Sequence, residues 1–399
     1  MNGAVRTSSL ADRLPRGAAL VVFLVLACSS AGMAFAGVLH VAHRVLPRGS
    51  GARHVGGSSY TARRAGVGAV SGLGSSSDAN DPNRMRPTVT TRDGLEMPRM
   101  LYGTAWKGQR TAELVETALR AGFRGVDTAC QPKHYREEGV GDAVVKIMSD
   151  PDISPPITRD ALFLQTKYTP FRGQDPNNVP YDPAASIPEQ VAESFARSRA
   201  NLQTDYVDSL LLHSPFESHS DTMLAWRTME GLHDTGQVRQ LGISNQYDVQ
   251  GFKRLYAEAR VKPGVLQNRF YADSGYDVEL RAFCAEHGVV YQSFWTLTAN
   301  RDVLFAEDKG GGVKPGAPDE AGRRAVRAAV EGAAKTHRKT PAQVWFRWLV
   351  QGLGVVPLTG TTDPIHMVED LDVFMSGRDF ALTDREMEAI HAAVLGAKQ

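Results

Sequence analysis

Four side chains that can move protons stand close to short hydrophobic segments in the middle of the chain. Asp127, Lys167 and His213 each end such a segment, and Tyr135 lies in the loop after Asp127. An adjacent ammonium lowers the pKa of a tyrosine, about 10 when unperturbed, by about one to three units, and a carboxylate holds that ammonium in place. Such a tyrosine can protonate a carbonyl oxygen as hydride reaches the carbon, and a histidine can hydrogen-bond the same oxygen.

Each of these residues also has a simpler structural explanation. An aspartate after a strand commonly caps a helix, and a lysine at a strand end is commonly a solvated rim charge. A histidine at a strand end is commonly a structural residue whose hydrogen bonds are satisfied. The catalytic hypothesis therefore requires that three neighbouring strands bring all four side chains to one edge.

The segments that would bring these side chains together are short β-type and helical stretches, which alternate along the chain from about residue 87 to the C-terminus. This alternation of β-type and helical segments is typical of βα units around a parallel sheet. The predicted barrel strands cover residues 100–103, 125–127, 162–166, 206–212, 240–244, 265–270, 289–294 and 354–358. Eight strands, each with a following helix, predict an α/β (β/α)8 TIM barrel, whose active site lies at the C-terminal strand ends. A doubly wound sheet is the alternative, but no Gly-x-Gly-x-x-Gly turn follows the first strand.

Local signals predict a hairpin before the barrel and several helix boundaries. Asp93-Gly94 indicates a hairpin turn between residues 88–90 and 95–97. Helices are predicted over residues 110–121, 188–202, 221–235, 249–259 and 277–287. Two more are predicted to begin at Thr340-Pro341 and at a capping box that starts with Thr383.

The composition excludes several classes of protein. A formal net charge of +1 at pH 7 does not suggest a nucleic-acid partner. The three cysteines, Cys28, Cys130 and Cys284, are too few and too scattered for a disulfide framework. The histidines have no cysteine partners nearby, and no metal site is predicted.

Residues 1–84 are predicted to be a targeting segment that is disordered or membrane-associated, and residues 85–399 are predicted to be the barrel domain. The stretch 18–42 is apolar and follows three arginines, as in a secretory signal peptide. The stretch 14–77 lacks acidic residues and is rich in Arg, Ser and Gly, like a transit peptide. With the Ala34-Phe35-Ala36 step, this resembles the two-part plastid address of algae with complex plastids. The alternative is a membrane anchor, or entry into the secretory pathway, because the apolar run is long enough to span a bilayer.

The barrel domain resembles the aldo-keto reductases, in particular the aldose and aldehyde reductase branch. The resemblance covers the chain from Thr88 onward, and the matching segments are these: Leu101-Tyr102-Gly103-Thr104-Ala105-Trp106, Gly125-Val126-Asp127-Thr128-Ala129, Tyr135-Arg136-Glu137-Glu138-Gly139-Val140-Gly141, Leu211-Leu212-His213-Ser214-Pro215, Gly242-Ile243-Ser244-Asn245 and Gln267-Asn268-Arg269-Phe270.

The resemblance implies NADPH-dependent reduction of a small carbonyl compound, with NADH as the alternative cofactor. Tyr135 would be the general acid, Lys167 and Asp127 its tuning pair, and His213 the orienting donor. The implied cofactor residues are Ser244, Asn245 and Gln267 on the carboxamide, Phe294 stacked on the nicotinamide, and Leu297 and Thr359. Trp106 would form a wall of the substrate pocket, and a monomer is expected.

Three features depart from the family pattern. Asp127 and Tyr135 are eight residues apart, more than is usual in the family, so the loop between them must bulge, and His134 could compete for the tyrosine's place. Leu358 stands where the family has a lysine that grips the 2′-phosphate, and no arginine follows it. The segment 295–298 replaces the family's usual Ser-Pro-Leu-Gly.

Two other functions fit the same residues. A nicotinamide-binding sensor barrel would bind the cofactor with little turnover. A lyase or aldolase would use Lys167 as a Schiff-base amine.

Overall fold

The computed structural model describes residues 87–305, 319–375 and 380–396. A hairpin of β1 (Thr88–Thr90) and β2 (Glu96–Pro98) precedes eight parallel strands that close into a barrel. The barrel strands are β3 Leu101–Gly103, β4 Gly125–Asp127, β5 Phe163–Tyr168, β6 Ser209–Leu212, β7 Leu241–Ser244, β8 Val265–Arg269, β9 Val290–Phe294 and β10 Val356–Thr359. Each pairs with the next along the chain and β10 pairs with β3, which confirms the predicted (β/α)8 barrel and excludes the doubly wound sheet.

The hairpin closes the N-terminal end of the barrel. Its strands pair antiparallel, with Val89 opposite Met97, and Gly94 in the turn has a φ of 80°, a conformation that favours glycine. Met97 is fully buried in an apolar cluster inside the barrel. The other buried members of this cluster are Leu101, Phe163, Leu211, Val265, Val290, Val356 and Leu358. The hairpin prediction is thereby confirmed.

Helices cover the outside of the barrel. They are α1 Thr111–Ala121, α2 Glu137–Met148, α3 Ile187–Leu202, α4 His219–Asp234, α5 Val249–Glu258, α6 Val278–His287, α7 Arg301–Leu304, α8 Glu320–His337, α9 Pro341–Leu353, α10 Pro364–Met375 and α11 Asp384–Gly396. Thr340 caps α9 through a reciprocal pair with Gln343, as its sequence predicts. Thr383 and Glu386 form the same arrangement before α11.

Helix α2 is not predicted by the hydrophobic pattern, nor are α8 and α10. Gly139 and Gly141 lie within α2, and a glycine in a helix interior costs about 1 kcal/mol relative to alanine. A Cβ on Gly141 would overlap the backbone carbonyl of Asn201 in α3. Close packing of α2 on α3 therefore requires the residue that weakens the local helix signal.

The fourth barrel strand is shorter than predicted, because residues 206–208 precede β6 instead of extending it. The Asp208 carboxylate accepts hydrogen bonds from Arg159 and Arg239, at 2.9 and 3.0 Å. Both guanidinium groups lie 4.0 Å from the ring centroid of Tyr206. Val207 still pairs with Val238 in an isolated parallel bridge, and the Leu164 N–H donates to the Asp208 carboxylate, so the start of the segment pairs irregularly.

Among the described helices, none is long and apolar enough to cross a bilayer. The predicted targeting segment, residues 1–84, lies outside the described residues.

Candidate active site

An ion pair between Lys167 and Asp127 lies at the C-terminal ends of β5 and β4. Lys167 Nζ donates to Asp127 Oδ2 at 2.6 Å and to the carbonyl oxygen of Thr128 at 2.8 Å. Lys167 is 1% exposed and Asp127 is 3% exposed. Burial lowers the pKa of Lys167, and the Asp127 carboxylate opposes that shift. Because the amine is buried and paired, the geometry argues against a Schiff-base role.

A layer of glutamines holds the Asp127 carboxylate from inside the barrel. Gln165 and Gln267 donate Nε2–H to Asp127 Oδ1 at 2.7 and 2.9 Å. Both also donate to Gln292 Oε1, at 2.7 and 2.9 Å. The layer fixes the orientation of the carboxylate towards Lys167. Gln165 and Gln292 are site residues that the sequence analysis missed, although polar residues within predicted apolar strands were a signal for them.

Tyr135 lies beside this ion pair despite the long spacing from Asp127. The backbone N–H groups of His134 and Tyr135 both donate to the Gln131 carbonyl, at 3.0 Å each, so the loop bulges as expected. Lys167 Nζ is 5.4 Å from the centroid of the Tyr135 ring. The His134 ring packs against Trp106 with their centroids 3.7 Å apart. The structure therefore brings Tyr135 to the lysine and places His134 against the neighbouring wall.

The pKa of Tyr135 differs from the sequence-based expectation. Burial, and next the Asp127 carboxylate, raise it above the usual value for tyrosine, whereas a lysine-driven decrease was expected. The main cause is burial, and the Asp127 carboxylate adds to the rise in the pKa because it lies close to Lys167 and offsets its charge. Tyr135 is therefore a neutral hydroxyl at physiological pH, which suits a proton donor.

His213 faces the same space from the end of β6. Its ring centroid is 6.0 Å from that of Tyr135, and its Nδ1 is 2.6 Å from Thr169 Oγ1. Burial, with the nearby charges of Lys167 and His134, lowers the pKa of His213 far below its ordinary value. The imidazole is therefore neutral at physiological pH. Thr169 is 2% exposed and was not identified from the sequence.

One cavity joins these side chains to the predicted cofactor residues. Its volume is about 850 Å³, in the upper part of the range of about 300–1,000 Å³ typical of ligand sites. The predicted site residues that line it are Trp106, Asp127, Tyr135, His213, Ser244, Asn245, Gln267, Phe294, Leu297 and Thr359. Lys167 does not line it and acts from the layer below. Trp106 is 63% exposed, as a pocket wall at the mouth would be.

The polar atoms on β7 and β8 fit a nicotinamide carboxamide. Asn245 Nδ2 donates to Ser244 Oγ and to the His213 carbonyl, and Gln267 Nε2 donates to two acceptors below it. Asn245 Oδ1, Gln267 Oε1 and the Ser244 hydroxyl hydrogen then remain without partners among the described residues. A carboxamide offers two N–H donors and one oxygen acceptor, which matches these two acceptors and one donor.

The far end of the cavity lies between β10 and α10. Thr359 Oγ1 donates to Asp370 Oδ2 at 2.7 Å, and burial raises the pKa of Asp370 to about 7. Lys107 Nζ donates to the Gly360 carbonyl, and burial lowers its pKa to about 8. Lys107 stands next to Trp106 in the sequence and was missed. No group of three or more potential metal ligands occurs in the described part of the chain.

Comparisons with known proteins agree with this geometry. Residues 99–394 match the model of the aldo/keto reductase family. The chain is 28% identical to the glyoxal reductase of Bacillus subtilis over 315 residues, which cover 78% of this chain and 94% of that protein. It is 29% identical to the methylglyoxal reductase DkgA of Yersinia pestis over 309 residues, 77% of this chain and 92% of that protein.

A solved structure shares the fold. The aldo-keto reductase of Bombyx mori in complex with NADP is similar with a TM-score of 0.59 and 23% identity, over 77% of this chain and 92% of that one. Because the family model covers most of the chain, including every residue of the site described above, this protein belongs to the aldo/keto reductase family.

Proposed function

We propose that this protein reduces a small aldehyde or ketone to an alcohol with NADPH, NADH being the alternative cofactor. The observation that carries the proposal is the single cavity shared by Tyr135, His213 and the carboxamide-binding set, with the Lys167–Asp127 pair beneath. The names of the glyoxal and methylglyoxal reductases support a small dicarbonyl compound as substrate. The NADP bound to the Bombyx mori protein supports NADPH.

Tyr135 is the proton donor in the proposed reaction. The nicotinamide, held by Ser244, Asn245 and Gln267, would be the source of hydride for the carbonyl carbon. The hydroxyl of Tyr135 gives its proton to the carbonyl oxygen. Two of the three ammonium hydrogens of Lys167 are bound by Asp127 and Thr128. The third is available to stabilise the phenolate that Tyr135 becomes. Asp127 keeps this ammonium charged in a buried place.

His213 acts as a neutral hydrogen-bond donor to the same oxygen. Among the described residues, the Thr169 hydroxyl has no acceptor for its hydrogen other than His213 Nδ1. If it donates there, the imidazole carries its own hydrogen on Nε2. Thr169 therefore selects the tautomer that presents an N–H to the carbonyl oxygen, and it is a positioning residue for His213.

Replacement of Tyr135 by phenylalanine tests the proposed reaction. The variant removes only the proton donor, so kcat is expected to fall by about 10²–10⁴-fold while NADPH still binds. Cofactor oxidation is followed with a panel of aldehydes, and cofactor binding is measured separately by fluorescence. Tyr256→Phe, which alters a hydroxyl bonded to Arg92 outside the cavity, is the control. A wild-type protein that binds the cofactor but turns over no aldehyde would favour the sensor hypothesis instead.

We also propose that the protein acts as a monomer. A separate proposal is that residues 1–84 direct the chain to a plastid, with membrane anchoring or the secretory pathway as the alternative. The apolar stretch followed by an arginine-rich stretch without acidic residues supports the two-part address.

A further inference from the structure

Arg269, the last residue of β8, has a positive charge that no carboxylate among the described residues balances. Its side chain lines the cavity that contains Tyr135 and His213. Of the described carboxylates, none forms an ion pair with it, and its Nε is buried without a hydrogen-bond partner. The guanidinium carbon instead lies 4.4 Å from the ring centroid of Trp295 and 5.2 Å from that of Tyr271.

The strand and its neighbour hold this guanidinium in place. Arg269 follows Gln267 by two positions, so the two side chains leave β8 on the same face. Arg269 is paired with Phe294 on β9, and its guanidinium carbon is 5.9 Å from that ring. Its backbone N–H donates to Tyr247 Oη at 3.1 Å. The cation is therefore positioned by rings and backbone, and its side-chain N–H groups donate to none of the residues that the structure describes.

A guanidinium with unused donors in a partly enclosed cavity favours an anionic ligand. Charged groups buried without a partner are costly, and phosphate and carboxylate oxygens match the planar donor fork of arginine. Elsewhere on the cavity wall, Asp127 is already paired with Lys167, and Glu369 and Asp370 lie at the β10 end. An oxyanion brought by a bound small molecule would supply the missing partner.

We propose that Arg269 forms an anion subsite of this cavity, which takes a phosphate or carboxylate group of the bound ligand. The nature of that ligand rests on the proposed function. A phosphate would come from the dinucleotide, whose carboxamide is expected beside Gln267 on the same strand. A carboxylate would come from an acidic aldehyde substrate. The same chemistry serves both, and the experiment separates them.

The subsite is tested first by binding without turnover. The full chain is titrated calorimetrically with inorganic pyrophosphate, nicotinamide mononucleotide and nicotinamide riboside. If the anion is a phosphate of the dinucleotide, pyrophosphate and the mononucleotide are expected to bind Arg269→Gln about tenfold more weakly or worse, because a charge-assisted hydrogen bond is lost. The riboside has no phosphate, and its affinity is expected to stay the same. Arg172→Gln is the control, since it removes one positive charge from a loop at the same end of the barrel without removing a cavity residue.

Steady-state kinetics tests whether the anion is a carboxylate of the substrate. If the anion belongs to the substrate, Arg269→Gln raises KM for glyoxylate about tenfold and leaves KM for methylglyoxal and the affinity for NADPH unchanged. Arg269→Lys keeps the charge and is expected to recover part of the lost binding, both in the calorimetric titrations and in the KM for glyoxylate. An Arg269→Gln protein whose affinity for nicotinamide riboside falls as much as its affinity for the mononucleotide would show lost packing on the rings and overturn the proposal.

Unchanged affinity and KM for every probe in Arg269→Gln would equally overturn it. Failure of the proposed function is a separate result. If the protein reduces no aldehyde but binds pyrophosphate, and this binding depends on Arg269, the proposed anion subsite stands and the proposed reductase activity fails.

Discussion

At the scale of single residues, the hydrogen bond between Thr169 and His213 Nδ1 bears on whether the other ring nitrogen, Nε2, carries a hydrogen. Thr169 is buried, and the pKa of His213 is lowered far enough for the ring to be neutral. A neutral imidazole has one N–H, so the partner of Nδ1 determines whether Nε2 donates or accepts. The proposed reaction requires a donor.

Thr169→Val is therefore expected to lower kcat by roughly tenfold, with little change in KM, because part of the His213 population shifts its hydrogen to Nδ1. Valine has a similar shape, so the fold is retained. The tautomer is read directly from the ¹⁵N chemical shifts of the ring. Thr169→Ser keeps the hydroxyl and should preserve both kcat and the wild-type tautomer. A valine variant with an unchanged tautomer and kcat would show that Thr169 does not position the ring.

The sequence predicts the residues of this site better than their electrostatics. Asp127, Lys167 and His213 could be predicted because each lies within one residue of the end of a strand, and strand ends meet on one face of a barrel. The position of Tyr135 was harder, since the loop that carries it has no regular period. The direction of its pKa could not be predicted, because it depends on burial and on the short Lys167–Asp127 distance.

At the scale of elements, helix α2 connects the site to the outer layer of the barrel. Tyr135 lies just before this helix, and Glu137 at its start accepts hydrogen bonds from Thr166 of β5 and Ser198 of α3. The close approach of α2 to α3 depends on Gly141, beside which no Cβ fits. Packing at this contact is therefore expected to control where Tyr135 stands.

Gly141→Ala is expected to lower the free energy of unfolding by about 1–3 kcal/mol, because the backbones of two helices must separate. It should also lower kcat, since Tyr135 moves with the start of α2. Gly332→Ala is the matched control: it lies within α8, nothing stands within 4 Å of its added Cβ, and it should stabilise by about 0.5–1 kcal/mol. Urea titration measures the free energy of unfolding of both variants. A Gly141→Ala protein as stable as Gly332→Ala would refute this account of the α2–α3 contact.

The strands were predicted with nearly correct ends because each is a short apolar run bounded by polar or turn residues. The helices were less complete, and α2 shows why. Its glycines obscure the helical pattern in the sequence. The close packing of α2 on α3, which Gly141 allows, can be recognised only in the folded structure. The shortened start of β6 has a similar cause, since the Asp208 cluster with Arg159 and Arg239 is a contact between distant segments.

At the scale of the whole molecule, the order of strands along the chain was enough to predict a closed parallel barrel. That order also implied a common edge for the proposed catalytic side chains and the proposed cofactor residues, and one cavity is lined by most of them. The polar lining of the far end, with Asp370 and Lys107, was not predictable, because it arises where β10 and the loop after β3 meet.

The whole chain also combines a barrel domain with an N-terminal segment of different composition. Fused to a fluorescent protein in an alga with a complex plastid, residues 1–84 are expected to bring the reporter into the plastid, whereas residues 85–399 should leave it in the cytosol. The apolar stretch would provide entry to the secretory route, and the arginine-rich stretch without acidic residues the second step. Phe35→Ala in the same fusion should stop the reporter outside the plastid, since it alters the small-Phe-small step. An uncleaved fusion recovered with membranes would instead identify residues 18–42 as an anchor.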